Sequence, residues 1–194
     1  MAHELKGKKV AILATTGFEQ SELEEPKKAL EEAGARAIVV SPTKGQILGW
    51  QHTDWGKHVP VDMQLDEADP SEFDALMLPG GVLNPDRLRL VPKAVQFVRA
   101  FVTSKKPIAA ICHGPWTLID AGGVRGRRMT SWPSLRVDLE NGGANWVDEE
   151  VVADQGLVTS RKPDDIPAFN RKMIDEFARG AKERAEAPRA AHPR

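Results

Sequence analysis

The feature that most constrains the fold is a series of short apolar runs, each nearly continuous in hydrophobicity and separated by segments with helical periodicity. Strands covered on both faces have this continuous pattern, whereas strands with one solvated face alternate apolar and polar residues. The order of the segments therefore predicts an α/β fold with a doubly wound, mostly parallel sheet, right-handed crossovers and helices on both faces. The predicted strands are residues 9–14, 36–41, 74–78 and 107–112.

Helical periodicity accounts for most of the remaining chain. Pro26 removes a backbone hydrogen bond, so we expect the regular part of the first helix to begin near Glu24. The predicted helices are residues 21–34, 91–104, 113–121, 134–141 and 164–181.

Three further segments complete the organisation. Residues 45–62 combine tryptophan and histidine with glycine and predict a hairpin carried on the sheet. Residues 145–154 and 157–160 predict paired strands joined through Gln155-Gly156. Residues 182–194 lack apolar periodicity, so we expect one domain over 1–181 and a flexible C-terminal tail.

Composition argues against several classes of partner. The 27 basic and 28 acidic side chains leave a net charge of -1, which provides no field to attract nucleic acid or anionic lipid. No window approaches the ~20 apolar residues of a membrane-spanning helix, and the polar start does not resemble a signal peptide. We therefore expect a cytoplasmic protein with no nucleic-acid or membrane partner. The lone cysteine forms no internal disulfide, so any role for it depends on the thiol.

That cysteine, Cys112, lies in the segment A-I-C-H-G-P-W, where a buried strand ends and a helix is predicted to begin within one or two residues. Such a turn projects its side chain at the carboxyl edge of the sheet, where α/β proteins bind ligands. The helix start favours the thiolate, so the pattern predicts a nucleophile whose pKa is lowered. The alternative is a small core cysteine at a strand end.

Two other segments are expected at the same edge. In L-P-G-G the glycines leave backbone N–H groups free, and the N–H groups of Gly81 and His113 can form an oxyanion hole, although Pro-Gly-Gly alone is typical of a simple turn. Gly80 and Trp116 are predicted to contact substrate. Glu19, in T-T-G-F-E-Q, is predicted to share a proton with the Cys112 thiol, since two adjacent negative charges repel. Its alternative role is that of an acid at a helix start.

Taken together, several segments resemble the PfpI/ThiJ superfamily, in particular its PfpI-like intracellular protease and general stress protein branch, over about residues 8–178. The segments are F-E-Q-S-E-L, F-D-A-L-M-L-P-G-G, A-I-C-H-G-P, V-R-G-R-R-M-T-S-W-P and W-V-D-E-E-V-V-A-D. The resemblance implies a flavodoxin-like fold of the class I glutamine amidotransferase type. It also implies that Cys112 is the nucleophile, that His113 is the base and that Glu19 contacts the thiol.

The resemblance further implies a homo-oligomer, a dimer or larger, in which a neighbouring subunit supplies an acid to the site. The matching position is Asp86, with one extra residue before it and Asp in place of Glu. Its alternative roles are to cap a short helix after Pro85 or to pair with Arg87 or Arg89 in solvent.

The expected function is that of a cysteine hydrolase, a PfpI-type protease or amidase linked to stress, acting on a peptide or small carbonyl substrate. The alternatives are a deglycase or glyoxalase acting on methylglyoxal adducts, and a redox sensor or holdase that uses an oxidisable Cys112. A glutamine amidotransferase is disfavoured because the only histidine after His113 is His192. His52 and His58 are expected to be solvated. With no second cysteine, G-x-G-x-x-G or P-loop, we expect no metal and no cofactor.

Overall fold

The computed structural model describes residues 4–186, with side chains described for residues 4–179. The strands are β1 (Lys9–Leu13), β2 (Phe18–Glu19), β3 (Arg36–Ser41), β4 (Gln46–Gln51), β5 (Asp54–Pro60), β6 (Met63–Gln64), β7 (Ala75–Leu78), β8 (Ile108–Ile111), β9 (Arg128–Met129), β10 (Asn145–Trp146), β11 (Val151–Asp154) and β12 (Leu157–Ser160). The α-helices are α1 (Gln20–Glu32), α2 (Leu83–Arg89), α3 (Pro92–Thr103), α4 (Pro115–Asp120), α5 (Arg136–Asn141) and α6 (Ile166–Glu186). Short 3-10 helices cover Pro70–Glu72, Pro133–Leu135 and Pro163–Asp165.

The central sheet confirms the predicted doubly wound architecture. It has seven strands in the order β11-β12-β8-β7-β1-β3-β6. All neighbours pair in parallel except β11, which is antiparallel to β12. The order β3-β1-β7-β8-β12 is the flavodoxin-like order, in which the chain reverses direction beside β1. The carboxyl ends of β1, β7 and β8 therefore meet at one edge.

Two cores cover the two faces of this sheet. In β1, Val10 and Ile12 belong to the core formed with α1 and α6, while Ala11 and Leu13 belong to the core formed with α2 to α5. This alternation of buried side chains on both faces explains why β1 is apolar without interruption. The largest fully buried side chains include Phe18, Phe73, Phe101 and Phe169.

The predicted excursion after β3 is a hairpin of β4 and β5, which forms a separate sheet with β2. Trp50 and Trp55 pack edge to face with ring centres 5.2 Å apart. The Gln20 side chain holds the hairpin to the start of α1, since its Oε1 accepts the N–H of Lys57 at 2.6 Å.

Other boundaries differ from the predictions. Helix α1 begins at Gln20 rather than near Glu24 and contains Pro26, which places Glu22 in the first helical turn. The segment 145–154 is not one strand, because β10 pairs in parallel with β9 and only β11 pairs with β12. Helix α2 begins at Leu83, whereas the sequence suggests only a short helix after Pro85. Helix α6 extends past the predicted end at 181, and residues 187–194 of the predicted tail lie outside the described residues.

Within residues 4–186, no helix combines the length and the apolar character needed to cross a bilayer.

Candidate active site

Cys112 follows β8 directly and has a backbone φ of 60°, a left-handed conformation that residues with side chains rarely adopt. Two hydrogen bonds hold it there: the Cys112 N–H donates to the Ser160 carbonyl at 3.0 Å, and the Trp132 N–H donates to the Cys112 carbonyl at 2.9 Å. Gly114 completes the turn, with its N–H 2.8 Å from the Ile111 carbonyl. The strained elbow therefore depends on three separate parts of the chain.

The thiol lies in a buried environment, with Cys112 only 7% exposed. Burial raises the pKa of Cys112 well above its usual value, and the charge on an ionised Glu22 raises it further. The N–H groups of Gly81 and His113 bond to the sulfur and oppose this effect. The predicted lowering of the thiol pKa is therefore wrong, because burial outweighs the influence of α4, which is only six residues long.

The carboxyl group that hydrogen-bonds to the thiol is that of Glu22. The side chain is fully buried, and its Oε2 accepts the N–H of Gly80 at 3.0 Å. Its Oε1 has no hydrogen-bond partner among the described residues. Burial raises the pKa of Glu22 to about 8, so the group is mostly protonated at neutral pH. A buried oxygen without a partner is compatible with a neutral carboxyl and costly for a carboxylate.

The prediction that Glu19 contacts the thiol is therefore corrected to Glu22. Glu19 ends β2, and its carboxyl interacts with the backbone N–H of His52 on the hairpin. The sequence contained a signal for the correct residue, because Glu22, Pro26 and Leu30 recur every four residues and share the buried face of α1. The proposed proton sharing thus concerns a carboxyl one helical turn further along the chain.

The His113 ring is next to the thiol, with Nδ1 3.2 Å from Cys112 Sγ. Burial lowers the pKa of His113 to about 4, so the imidazole is neutral at neutral pH. The ring stacks on Trp132, with centres 5.9 Å apart. Among the described residues, Nε2 has no hydrogen-bond partner. In this arrangement Glu22 binds a proton more tightly than His113 does.

The two glycines after Pro79 allow the backbone to approach both acidic groups. A Cβ at Gly80 would lie 2.5 Å from Glu22 Oε2 and 2.7 Å from Cys112 Cβ. Gly81 has φ 77°, and a Cβ there would lie 2.4 Å from the Gly17 carbonyl. The Gly80 N–H is occupied by Glu22, which argues against the predicted substrate contact, whereas Gly81 directs its N–H at the sulfur as expected of an oxyanion hole.

Two tryptophans flank the thiol and His113. Trp116, predicted to contact substrate, donates its Nε1 hydrogen to Asp138 at 2.9 Å and has the Arg89 guanidinium over its ring. Trp132 is 40% exposed and stacks on His113, so it presents an open aromatic surface beside the thiol. The sequence predictions gave Trp132 no role in the site, although it follows β9 within the T-S-W-P segment.

This geometry is accompanied by a family match, since the model of the DJ-1/PfpI family covers residues 8–176. The chain belongs to the DJ-1/PfpI family. Among its relatives, General stress protein 18 of Bacillus subtilis (strain 168) is 51% identical over 170 residues, which are 87% of this chain and 96% of the relative. Protein/nucleic acid deglycase 2 of Escherichia coli (strain K12) is 45% identical over 168 residues, 86% of this chain and 96% of the relative.

The solved structure of Drosophila melanogaster DJ-1beta has a TM-score of 0.80 and 27% identity, covering 92% of this chain and 94% of that one. The family and the fold predicted from the sequence are thus confirmed.

In this DJ-1/PfpI chain Asp86 is exposed in the first turn of α2. Its side chain has no hydrogen bond or ion pair among the described residues. Helix α2 begins at Leu83, so Asp86 does not cap it. Arg89 pairs with Asp120, and Arg87 donates to the Thr16 carbonyl at 3.2 Å, so neither arginine serves as the solvent partner considered for Asp86.

The remaining candidates lie outside this cluster. His52 and His58 are exposed on the hairpin. Among residues 4–179, no group of three or more His, Cys, Asp or Glu side chains has the arrangement needed to hold a metal ion.

Proposed function

We propose that this DJ-1/PfpI chain is a cysteine-dependent hydrolase that removes carbonyl-derived adducts from amines, with Cys112 as nucleophile. The observation that carries the proposal is the buried pair of Cys112 and Glu22 beneath two N–H donors. The name of the Escherichia coli relative, a protein/nucleic acid deglycase, supports this substrate class. The name of the Bacillus subtilis relative, a general stress protein, supports a role in stress, and a cytoplasmic location is part of the proposal.

The pair explains how a buried thiol reacts. When the pair loses one proton, the remaining proton is shared between sulfur and the Glu22 carboxyl, and the two groups titrate as a unit. The N–H groups of Gly81 and His113 favour negative charge on sulfur. The reactive form is therefore the thiolate beside a protonated Glu22.

On an amide, the first step is addition of the sulfur to the carbonyl carbon, which forms a C–S bond and places negative charge on the substrate oxygen. The N–H groups of Gly81 and His113 stabilise that oxygen, and this kind of stabilisation is worth about 10² to 10³ in rate per donor. Glu22 then supplies the proton that a departing amine nitrogen needs. Water then releases the acyl product from sulfur, which completes amide hydrolysis.

On a methylglyoxal adduct, the sulfur instead displaces the amine at the hydroxyl-bearing carbon, forming a C–S bond as the C–N bond breaks. The resulting hemithioacetal isomerises to a thioester by moving a hydrogen to the neighbouring carbonyl carbon, and water hydrolyses the thioester to a hydroxy acid and the free thiol.

Amide hydrolysis is the second candidate, and it is the activity favoured by the sequence. The specific observation in its favour is the convergence of two N–H donors on the sulfur, which suits the tetrahedral oxyanion of an amide substrate. The same four groups serve both candidates, so the substrates themselves must distinguish them.

We also propose that the site is completed in a homo-oligomer by Asp86 of a neighbouring subunit. Support comes from the exposed carboxylate of Asp86 and from the exposed apolar side chains of Val82 and Leu83 beside it. Further support comes from Nε2 of His113, which has no hydrogen-bond partner within the part of the chain that the structure describes. An acid bonded to His113 would raise the pKa of the imidazole and make it a stronger base.

The direct test is turnover of a methylglyoxal-modified amine and of a peptide amide by the wild type, Cys112→Ala and the control His58→Ala. We expect Cys112→Ala to lose at least about 10³-fold in kcat/KM and the exposed hairpin variant to retain full activity. Cleavage of the adduct but not the amide supports the first candidate. Full activity of Cys112→Ala, or stress-dependent oxidation of Cys112 without turnover of either substrate, contradicts the hydrolase.

The shared site is tested separately with Asp86→Asn, which removes the charge but keeps the shape. We expect about a 100-fold loss in kcat with retention of the oligomer seen by sedimentation. An oligomer with normal activity would remove Asp86 from the site, and a fully active monomer would remove the interface.

A further inference from the structure

Asn84 is a buried amide behind the double glycine, only 1% exposed and one residue into α2. Its Oδ1 accepts the N–H of Thr15 at 2.7 Å, just after the end of β1. Its Nδ2 donates to the carbonyls of Pro79 and Gly80, at 2.9 and 3.3 Å. Because the backbone N–H of Thr15 can only donate, this bond determines which end of the amide is oxygen and leaves the NH₂ group facing the two carbonyls.

Each of these carbonyls shares a rigid peptide plane with an N–H group of the site. The Pro79 carbonyl lies in the same plane as the Gly80 N–H, and the Gly80 carbonyl lies in the same plane as the Gly81 N–H. A bond that holds one end of such a plane also fixes the direction of the other end. The Gly80 N–H points at Glu22 Oε2, and the Gly81 N–H points at the Cys112 sulfur.

The glycines themselves provide little to hold these planes. They have no side chains, and glycine adopts positive and negative φ with similar ease. The only other bond described to the Gly80 carbonyl is from the Glu19 N–H at 3.3 Å. The two peptide planes therefore depend on a group outside the turn.

We propose that Asn84 is a positioning residue that fixes both peptide planes of the double glycine and so directs their N–H groups at Glu22 and at the reacting sulfur. The part that concerns catalysis rests on the hydrolase proposed above. Asn84 also joins the end of β1 to α2, the helix that carries Asp86 two residues later. Movement of α2 is therefore transmitted to the Gly80 and Gly81 planes.

The test uses Asn84→Ala and Asn84→Ser, with Asp74→Ala as the matched control. Asp74 Oδ2 accepts the N–H of Lys9 at 2.8 Å, which is the same kind of side-chain bond to β1 but at the opposite edge of the sheet. The first readout is the rate at which iodoacetamide alkylates Cys112 as a function of pH. The second is kcat and KM on the hydrolysed substrate.

We expect both Asn84 variants to move the alkylation midpoint upward by about one pH unit, because the thiolate loses a directed N–H donor. We expect kcat to fall by about 10- to 100-fold while KM changes less than about twofold. Asp74→Ala is expected to lower the thermal midpoint without moving the alkylation profile.

An Asn84 variant that is folded by circular dichroism and keeps the wild-type alkylation profile overturns the proposal. Should Asn84→Ala not fold, Asn84→Ser decides the question, because its hydroxyl is too short to bond Thr15 and both carbonyls together. Alkylation requires no substrate, so the profile tests Asn84 even where the wild type turns over neither substrate. A wild type that turns over neither substrate would reject the proposed hydrolase but not the positioning role of Asn84.

Discussion

The two edges of the central sheet differ in how fully their polar groups are hydrogen-bonded and in how strained their backbone is. At the amino edge, the side chain of Asp74 accepts the Lys9 N–H, and the Lys106 ammonium donates to the carbonyls of Pro70, Ser71 and Phe73. At the carboxyl edge, Cys112 has a left-handed φ and Glu22 buries an oxygen without a partner among the described residues. The amino edge satisfies its polar groups, whereas the carboxyl edge concentrates strain and a titrating carboxyl where chemistry is proposed.

The largest expected difference between the edges is in the pH dependence of stability. Burial raises the pKa of Glu22 to about 8 from a usual value of 4.5. The folded state therefore binds this proton more tightly than the unfolded state, and the stabilisation is full below pH 4.5 and lost as pH rises through 8. We expect the wild type to lose on the order of 4 kcal/mol of unfolding free energy from this group across that window. Denaturant unfolding of the wild type and Glu22→Gln from pH 5 to 8 measures the loss, which should be absent in Glu22→Gln.

His113 supplies an internal control for that comparison. Burial lowers the pKa of His113 to about 4 from a usual 6.5, so its contribution to stability is present above pH 6.5 and lost as pH falls to about 4. We expect this acid-side loss in both proteins. Parallel curves for the wild type and Glu22→Gln over the whole range would show that Glu22 is ionised in the folded state.

A smaller difference is expected in the unfolding free energy that is lost when a glycine at each edge is replaced by alanine. In Gly80→Ala the added Cβ would lie 2.8 Å from the Ile111 carbonyl as well as against Glu22 and Cys112, so we expect a loss of about 3 kcal/mol from overpacking. In Gly7→Ala the Cβ meets open space, and only the positive φ of 81° costs free energy, about 1 kcal/mol. Equal losses in unfolding free energy for the two variants would mean that the site around Gly80 relaxes freely.

The smallest effect on unfolding free energy is expected when one of the hydrogen-bonded polar groups at the amino edge is removed. Asp74→Ala leaves the Lys9 N–H without its acceptor in a partly exposed position, which we expect to cost about 1 kcal/mol of unfolding free energy. Turnover should be unchanged, because Asp74 lies at the edge remote from Cys112. A marked loss of activity in this variant would show that the two edges are coupled through the strands.

The sequence predicts the sheet well because its strands are buried on both faces, and that burial leaves continuous apolar runs. Apolar runs cannot reveal β9 and β10, because these strands have only two residues each. Helix α2 has seven residues, which are too few to show a clear helical period. Cys112 could be placed because the end of an apolar run and His-Gly-Pro together mark an elbow.

The error over the carboxyl group has a physical origin. Glu19 and Glu22 are both acids near the end of the first strand, and one helical turn separates them. Choosing between them requires the start of α1, and Pro26 displaced the predicted start to Glu24. The role proposed for Asn84 depends on peptide planes brought together by folding, and no local pattern in the sequence indicates it.

The central claim, that Cys112 shares a proton with Glu22 and not with Glu19, is tested most directly by the pH dependence of Cys112 alkylation in the wild type, Glu22→Gln and Glu19→Gln. Glu22→Gln removes the carboxyl whose charge raises the pKa of Cys112, so we expect its midpoint to move downward by about one unit. Glu19→Gln should keep the wild-type midpoint within a few tenths of a unit. An unchanged midpoint in Glu22→Gln would mean that the thiol and Glu22 do not titrate together, and a shift confined to Glu19→Gln would contradict the assignment.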